Sequence, residues 1–344
     1  MGIPIEVDEL TPGWFSEVLG ADVQAVEVVD SHSGTTGRAK VSITSTGDVP
    51  DTLFCKLAPF HPKQRAFLDF TGIGVMEARF YADLSAEVPV RLPRCWHAAT
   101  DSHAYVMVLE DLVASGCSFD SDPASTVEEL AHLHAAYWES PRFDDDLSWI
   151  PDRAGFGAGG GKTPEAAAAA GHFIHIALDQ FAHEMPPVFR AVGELYATRT
   201  ADILDLWDEG ERTLIHGDPH RGNLFSDNGR TGFFDWAMFS HSPGMRDVAY
   251  HLTNSLPTDE RRAIEGELLS KYRHTLATHG VTLDPAHAAQ QYRLFTVFSW
   301  VSFTSTAAVG SRWQPSDKAI EAMERATRAV EDCDSVGLLQ ELLG

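Results

Sequence analysis

The sequence predicts an α+β protein in two parts, a small β-sheet part followed by a larger, mainly helical one. Three observations carry this. Short β-branched runs separated by Gly, Ser and Asp crowd the chain up to Glu110. Helical periodicity dominates beyond it. And 344 residues exceed what one hydrophobic core usually organises.

In chain order, the strands are VQAVEVVD from Val23, AKVSITST from Ala39, TLFCKLA from Thr52, and HAYVMVLEDL, which closes the region near Glu110. Between the last two, GVMEARFYADLSAEV places Met76, Phe80 and Leu84 at four-residue spacing, the one helix expected in this part. Val106 to Leu112 then reads as a hinge, dividing 1–109 from 110–344. STVEELAHLHAAYW opens with a Ser125/Glu128 capping box and lines up Leu130, Leu133 and Tyr137 on one helical face. Further helices are expected around Ile176, in LDPAHAAQQYRLF (cap Asp284, Pro285 at the first helical position) and in SDKAIEAMERATRAV. GFGAGGGKTPEAAAAAG, Gly155 to Gly171, is low in complexity and reads as a mobile loop. No internal repeat is evident.

Composition narrows the function. An apolar content of 44% with 22% charged residues describes a compact chain. With 26 Lys and Arg against 50 Asp and Glu the formal charge is −24, and no basic cluster relieves it, so nucleic acid is not expected as a partner. That acidity either draws cationic substrates or keeps the protein soluble. Glu6, Asp8 and Glu9 leave no basic n-region or apolar h-region for a signal peptide. The longest charge-free stretch, Leu294 to Ser311, carries Thr296, Ser299, Ser302, Thr304, Ser305 and Thr306, which suits a buried helix and not a membrane span. Cys55, Cys95, Cys117 and Cys333 lie far apart without a CxxC pair, as for free thiols in a reducing cytoplasm. A cytoplasmic protein without a membrane partner is expected; the oligomeric state stays open.

The chemistry concentrates in LIHGDPHRGNLF, Leu214 to Phe225, followed by GFFDW, Gly232 to Trp236. Apolar runs bracket a polar loop, and a second apolar pair, Phe233 and Phe234, ends on an acid. A turn of this shape brings Asp218, Asn223 and Asp235 to one end of a small hairpin. Two carboxylates and an amide oxygen are hard donors of the kind Mg²⁺ accepts while keeping waters and phosphate oxygens. Phosphoryl transfer needs such a set together with a carboxylate that orients a hydroxyl.

His216, Asp218, His220, Asn223 and Asp235 together resemble the catalytic loop and metal segment of the aminoglycoside phosphotransferase/choline kinase family, whose loop reads H-G-D-x-H-x-x-N. The resemblance implies a two-lobed protein-kinase-like fold, with a small antiparallel sheet and one helix in the N-terminal lobe and a larger helical C-terminal lobe. It makes Asp218 the catalytic base, places His220 near the transferring phosphate, and gives Mg²⁺ to Asn223 and Asp235. His216 braces the loop, and Asp247, in GMRDVAYHL, is the buried acid that supports it. Lys56, on an apolar strand, needs an anionic partner; the resemblance supplies the ATP phosphates and Glu77, in EARFYADL, which resembles the family's E-x-x-F-Y-x-x-L. The turn SGTTGR would cover the phosphates through Ser33, Gly34, Thr35 and Thr36, and Glu110 to Leu112 would meet the adenine edge through the backbone.

The resemblance thus implies an ATP- and Mg²⁺-dependent phosphotransferase acting on a hydroxyl of a small molecule: an aminoglycoside, amino alcohol, sugar or other natural product. Tyr137, Trp138, Trp149, Trp300 and Trp313, with Asp144, Asp145 and Asp146, are the residues available for an acceptor pocket. The other function class is a kinase-like nucleotide binder without transferase activity. A metallophosphoesterase fits less well, because it wants an acid where Arg221 stands and a His where Leu224 stands. FGAGGGKT, Phe156 to Thr163, lacks the first Gly of a phosphate-binding loop and has no strand before it. His132 and His134 are two apart on a helix and cannot share a face, so zinc is not expected.

Overall fold

The computed structural model describes residues 2–34, 36–61, 64–65, 72–101, 104–152, 164–309 and 316–344. The chain forms two compact units, Met1–Asp120 with Phe225–Met238, and Ser121–Leu224 with Phe239–Gly344. The residues read as a hinge, Val106 to Leu112, lie inside the first.

The first unit is built on an antiparallel five-stranded sheet in the order β1-β2-β3-β5-β4, from β1 (Val23–Ser33), β2 (Gly37–Ser45), β3 (Thr52–Leu57), β4 (Cys95–Thr100) and β5 (Tyr105–Glu110). Side chains alternate between its faces. One face carries Ala39, Val41 and Ile43 of β2, Leu53, Cys55 and Leu57 of β3, and Val106 and Val108 of β5. Helix α1 (Pro12–Leu19) covers this face with Trp14 and Phe15, and burying each of those rings is worth roughly 2–3 kcal/mol. The same alternation sends Arg38, Phe54, Lys56 and Leu109 to the opposite face. There α2 (Ile73–Asp83) buries Glu77, Ala78, Phe80 and Tyr81.

Two of these elements were not expected. The reading of one helix in this part omits α1, although Thr11 caps it by accepting from the Trp14 amide at 3.3 Å and Gly20 ends it in the left-handed region. Strand β4, CWHAAT, has half-buried positions throughout and so shows no alternation to read.

Later in the chain, β7 (Leu224–Asp227) and β8 (Arg230–Phe233) pair as a two-stranded sheet. Asn228 (φ 52°) and Gly229 (φ 84°) join them in the primed turn that matches strand twist. Arg91 ties this hairpin into the first unit. Its guanidinium grips Glu110 through two bonds of 2.9 and 2.8 Å and donates from Nε to Asp227 at 2.7 Å. Its carbonyl accepts the Phe233 amide at 2.9 Å.

The second unit is helical: α3 (Pro123–Tyr137), α4 (Pro164–Phe181), α5 (Pro187–Thr198), α6 (Thr200–Asp208), α7 (Met245–Ser255), α8 (Thr258–Thr278), α9 (Pro285–Val309), α10 (Ser316–Asp332) and α11 (Ser335–Leu343). A short antiparallel pair, β6 (Thr213–Ile215) with β9 (Ser240–Ser242), completes it. Helix α9 is capped as expected, with Asp284 Oδ1 accepting from the Ala286 and His287 amides at 2.9 and 3.0 Å. It packs on α4, α7 and α10, and Phe295, Val297, Trp300, Thr296, Ser299 and Thr304 are all buried. Among the described residues no helix is long and apolar enough to cross a membrane.

Two local expectations are corrected. Helix α3 starts earlier than a Ser125/Glu128 box requires: Asp122 is the cap, accepting from the Ser125 amide at 2.9 Å, and Pro123 takes the first turn. The stretch from Pro164 to Gly171 is the start of α4 and not a loop, because its alanines are strong helix formers. Residues 153–163, including most of the Gly-rich run and the near phosphate-loop motif, lie outside the described residues.

Candidate active site

In the first unit, Lys56 stands next to the end of β3 and is buried by its neighbours. Its Nζ lies 2.5 Å from Glu77 Oε2 on α2 and 3.0 Å from Asp235 Oδ1. Burial acts to lower the pKa of the ammonium, but the carboxylates of Asp235 and Glu77 outweigh it and the net direction is up. Glu77, fully buried, is pushed up by burial against the pull of Lys56. Arg38, the cross-strand neighbour of Lys56, brings Nη2 to 3.6 Å from Asp235 Oδ2. Asp235 follows β8 and has φ 63°, a left-handed conformation that Asp tolerates better than most residues. Trp236 after it stacks on Phe80 at 4.3 Å between ring centroids, fixing the turn against α2.

Lys56, Arg38 and Asp235 form the polar end of a cavity of about 220 Å³ whose other walls are Phe54, Pro93, Leu109, Glu110, Asp111, Leu112, Val113, Phe119 and Phe234. Val113 and Phe119 are large apolar residues left exposed beside it. Glu110 and Leu112 line it, as expected of nucleotide contacts. However, the Glu110 amide already donates to the Arg94 carbonyl at 2.9 Å, and the Leu112 carbonyl accepts from the Cys117 amide at 3.0 Å. The Glu110 carboxylate is held by Arg91, and its pKa falls because those bonds outweigh burial.

The β1–β2 turn is partly self-satisfied. The Gly34 amide donates to the Thr36 carbonyl at 3.0 Å, Ser33 Oγ accepts from the Phe60 amide at 3.0 Å, and Thr36 is buried with its hydroxyl accepting from Arg38 Nε at 3.3 Å. Thr35 lies outside the described residues.

In the second unit the loop after β6 carries Asp218, His220 and Asn223. Gly217, at φ 83°, makes a turn that an L side chain would strain, and this lets the loop offer two successive amides to one acid. Asp247, at the start of α7, accepts from the His216 and Gly217 amides at 2.7 and 2.9 Å. It also faces His134 Nε2 at 3.4 Å, and His134 Nδ1 bonds Tyr272 Oη at 2.8 Å. Burial would raise the pKa of Asp247; His134, His216 and the Gly217 amide bring it below the ordinary value. His216 is buried and its Nδ1 accepts from the Asp218 amide at 3.2 Å, so it braces the loop.

Asn223 Nδ2 donates to both the carbonyl and Oδ2 of Asp218, each at 3.0 Å. That commits the amide nitrogen, and among the described residues no bond to Oδ1 is found. His220 Nδ1 accepts from the Gly222 amide at 2.9 Å, which puts the ring proton on Nε2, 3.7 Å from Asp218 Oδ2. The buried Tyr250 phenol has its pKa raised well above the ordinary value by burial and by its hydrogen bond with Asp218.

So Lys56, Glu77 and Asp235 come together in one unit, and Asp218, His220 and Asn223 in the other. Residues not anticipated include Arg38, Arg91, Phe54, Phe119, Phe234, Tyr250 and His251. Of the residues considered for an acceptor pocket, Tyr137 and Trp300 are core, Asp144 pairs with Arg212 at 3.0 Å and Asp146 with Arg142 at 2.6 Å. Trp313 is outside the described residues.

Residues 44–283 match the phosphotransferase enzyme family. Among solved structures, the choline kinase from Cryptosporidium parvum Iowa II is similar over 98% of this chain and 97% of its own, at 11% identity and a TM-score of 0.51. The amicoumacin kinase hAmiN, solved with AMP-PNP, Ca²⁺ and Ami, is similar over 89% of this chain and 88% of its own, at 11% identity and a TM-score of 0.53. These likenesses give the protein-kinase-like fold. Comparison with curated proteins by sequence gives no match.

Proposed function

The chain belongs to the phosphotransferase enzyme family, and we propose that it transfers the γ-phosphate of ATP to a hydroxyl of a small molecule. The observation that carries this reading is the Lys56 ammonium, clamped by Glu77 at 2.5 Å and Asp235 at 3.0 Å at the polar end of an apolar-walled cavity. Its roughly 220 Å³ is below the 300–1,000 Å³ of a pocket for a whole ligand, so it suits the base and not an entire nucleotide. Phe54, Leu109, Phe119 and Phe234 enclose the base, backbone groups of residues 110–112 read its edge, and Lys56 takes the phosphate oxygens.

Asp218 orients the acceptor hydroxyl and receives its proton. The acceptor oxygen bonds to the γ-phosphorus as the bond to the bridging oxygen breaks, and ADP leaves. His220, with its proton on Nε2, donates toward the transferring phosphate. Asn223, through the Oδ1 that its bond to Asp218 leaves over, and Asp235 are the residues that would hold Mg²⁺; both are hard oxygen donors. The ion would supply neutralising charge on the phosphate oxygens. The Ca²⁺ and AMP-PNP bound to the amicoumacin kinase of this fold support a divalent cation with ATP.

The test is acceptor-dependent ADP release across a panel of aminoglycosides, amino alcohols, sugars and nucleosides. Turnover with one class is expected, and Asp218→Asn should abolish it while Mg·ATP still raises the melting temperature. Stabilisation by Mg·ATP with no turnover on any acceptor would replace the transferase with a nucleotide-binding protein.

A further inference from the structure

The loop that carries Asp218 is hydrogen-bonded to three residues of helix α7. Asp247 accepts from the His216 and Gly217 amides at 2.7 and 2.9 Å. His251 Nδ1 bonds the Pro219 carbonyl at 3.0 Å. Ser255 Oγ accepts from the Arg221 amide at 2.9 Å. The three helix residues are four apart and lie on one face, so each step advances about 6 Å along the axis. The loop residues they hold, Gly217, Pro219 and Arg221, advance two at a time along a turned segment, in which the His220 amide donates to the Asp218 carbonyl at 2.8 Å.

The middle contact differs in kind from its neighbours. On either side the helix supplies an acceptor for a loop N–H. Residue 219 is Pro and has no N–H, so its carbonyl is the group to be satisfied, and a carbonyl can only accept. His251 must therefore donate from Nδ1. The ring is suited to that: burial lowers its pKa to about 4, so it stays neutral with the proton on Nδ1. Its Nε2 is buried with no hydrogen-bond partner among the described residues, which argues against a relay through both nitrogens.

We propose that His251 is a positioning residue for Asp218, fixing the Pro219 peptide and with it the direction of the Asp218 carboxylate. The inference rests on the phosphotransfer reading, in which Asp218 is the base. His251 is buried and acts through Pro219.

Three variants separate the possibilities. His251→Leu keeps bulk without a donor, His251→Asn places an amide near the position of Nδ1, and His251→Gln places one near that of Nε2. With the acceptor found by the panel, His251→Leu is expected to lower kcat about tenfold or more, because small misplacements of reacting groups are costly. The KM for ATP should stay within about twofold, since ground-state nucleotide binding is untouched. His251→Asn should recover most of kcat and His251→Gln should not. Amide hydrogen exchange at Gly217, Asp218 and His220 should accelerate in His251→Leu while α7 keeps its protection.

Unchanged kcat in His251→Leu, or no advantage of Asn over Gln, would overturn the assignment. If His251→Leu does not fold, the Asn–Gln pair carries the same contrast. If the wild-type protein transfers phosphate to no acceptor, the function reading has failed on its own. Loop exchange then decides the positioning role: rates that match the wild type in His251→Leu would overturn it.

Discussion

At Lys56 the cost of burying an ammonium dictates its neighbours. Removing one member of a buried pair leaves the other unpaired, a loss of about 3–5 kcal/mol. The two sides of this pair are not equivalent. Without Glu77 the ammonium keeps Asp235 at 3.0 Å, whereas without Lys56 the fully buried Glu77 loses the cation it bonds. Thermal or denaturant unfolding should therefore rank Lys56→Met as more damaging than Glu77→Gln, and the double variant should recover part of the loss. Equal losses would mean that Asp235 does not hold the ammonium. The pairing of Lys56 with Glu77, and the shared loop of Asp218 and Asn223, could be anticipated from the sequence through the motifs that resemble the family's. Arg91, Tyr250 and His251 could not. Arg91 acts on Asp227 and His251 on Pro219, partners that only folding brings near. In hindsight the acid, Tyr and His of DVAYH share one face of a helix and give a weak hint.

Among the elements, the β7–β8 hairpin leads into Asp235, so on the phosphotransfer reading proposed above its placement bears on nucleotide binding. Gly229 sits at φ 84°, and an L residue held in the left-handed region costs about 1–2 kcal/mol. Gly229→Ala should lower stability by that order, read by denaturant unfolding. Arg91→Ala should reduce the melting-temperature gain from Mg·ATP, although its guanidinium acts through Glu110 and Asp227 and not from the cavity wall. An unchanged gain would show that the hairpin is placed without it. Strands β1, β2, β3 and β5 were legible as short β-branched runs bounded by turn residues, although only β2 alternates over most of its length. Strand β4 was not, because every position in it is half-buried, and α1 escaped because its eight residues are too few to repeat a helical period. The true cap of α3 was hidden by a better-looking motif three residues later.

Over the whole molecule, burial of histidines makes stability depend on pH. His251, His241 and His97 all have pKa values lowered by burial. The unfolded chain then binds more protons than the folded one below the ordinary histidine value, so stability falls as the pH falls. For His251 the window runs from 6.5 down to about 4 and is worth on the order of 3 kcal/mol. Asp247, lowered overall, adds a loss in the same direction as it protonates at still lower pH. Denaturant unfolding at about pH 7, 6 and 5, which spans the histidine range, should show the decline, and His251→Asn should flatten it. The first unit also has a consequence for synthesis. It closes only with Phe225–Met238, whose Trp236 stacks on Phe80 and whose Asp235 meets Lys56. A ribosome that has released Asp120 has made all five strands of the sheet but neither Asp235, which meets Lys56, nor Trp236, which stacks on Phe80. The nascent unit must wait, incomplete, while Ser121–Leu224 is translated, and a fragment cut at Asp120 should be captured by chaperones instead of folding by itself.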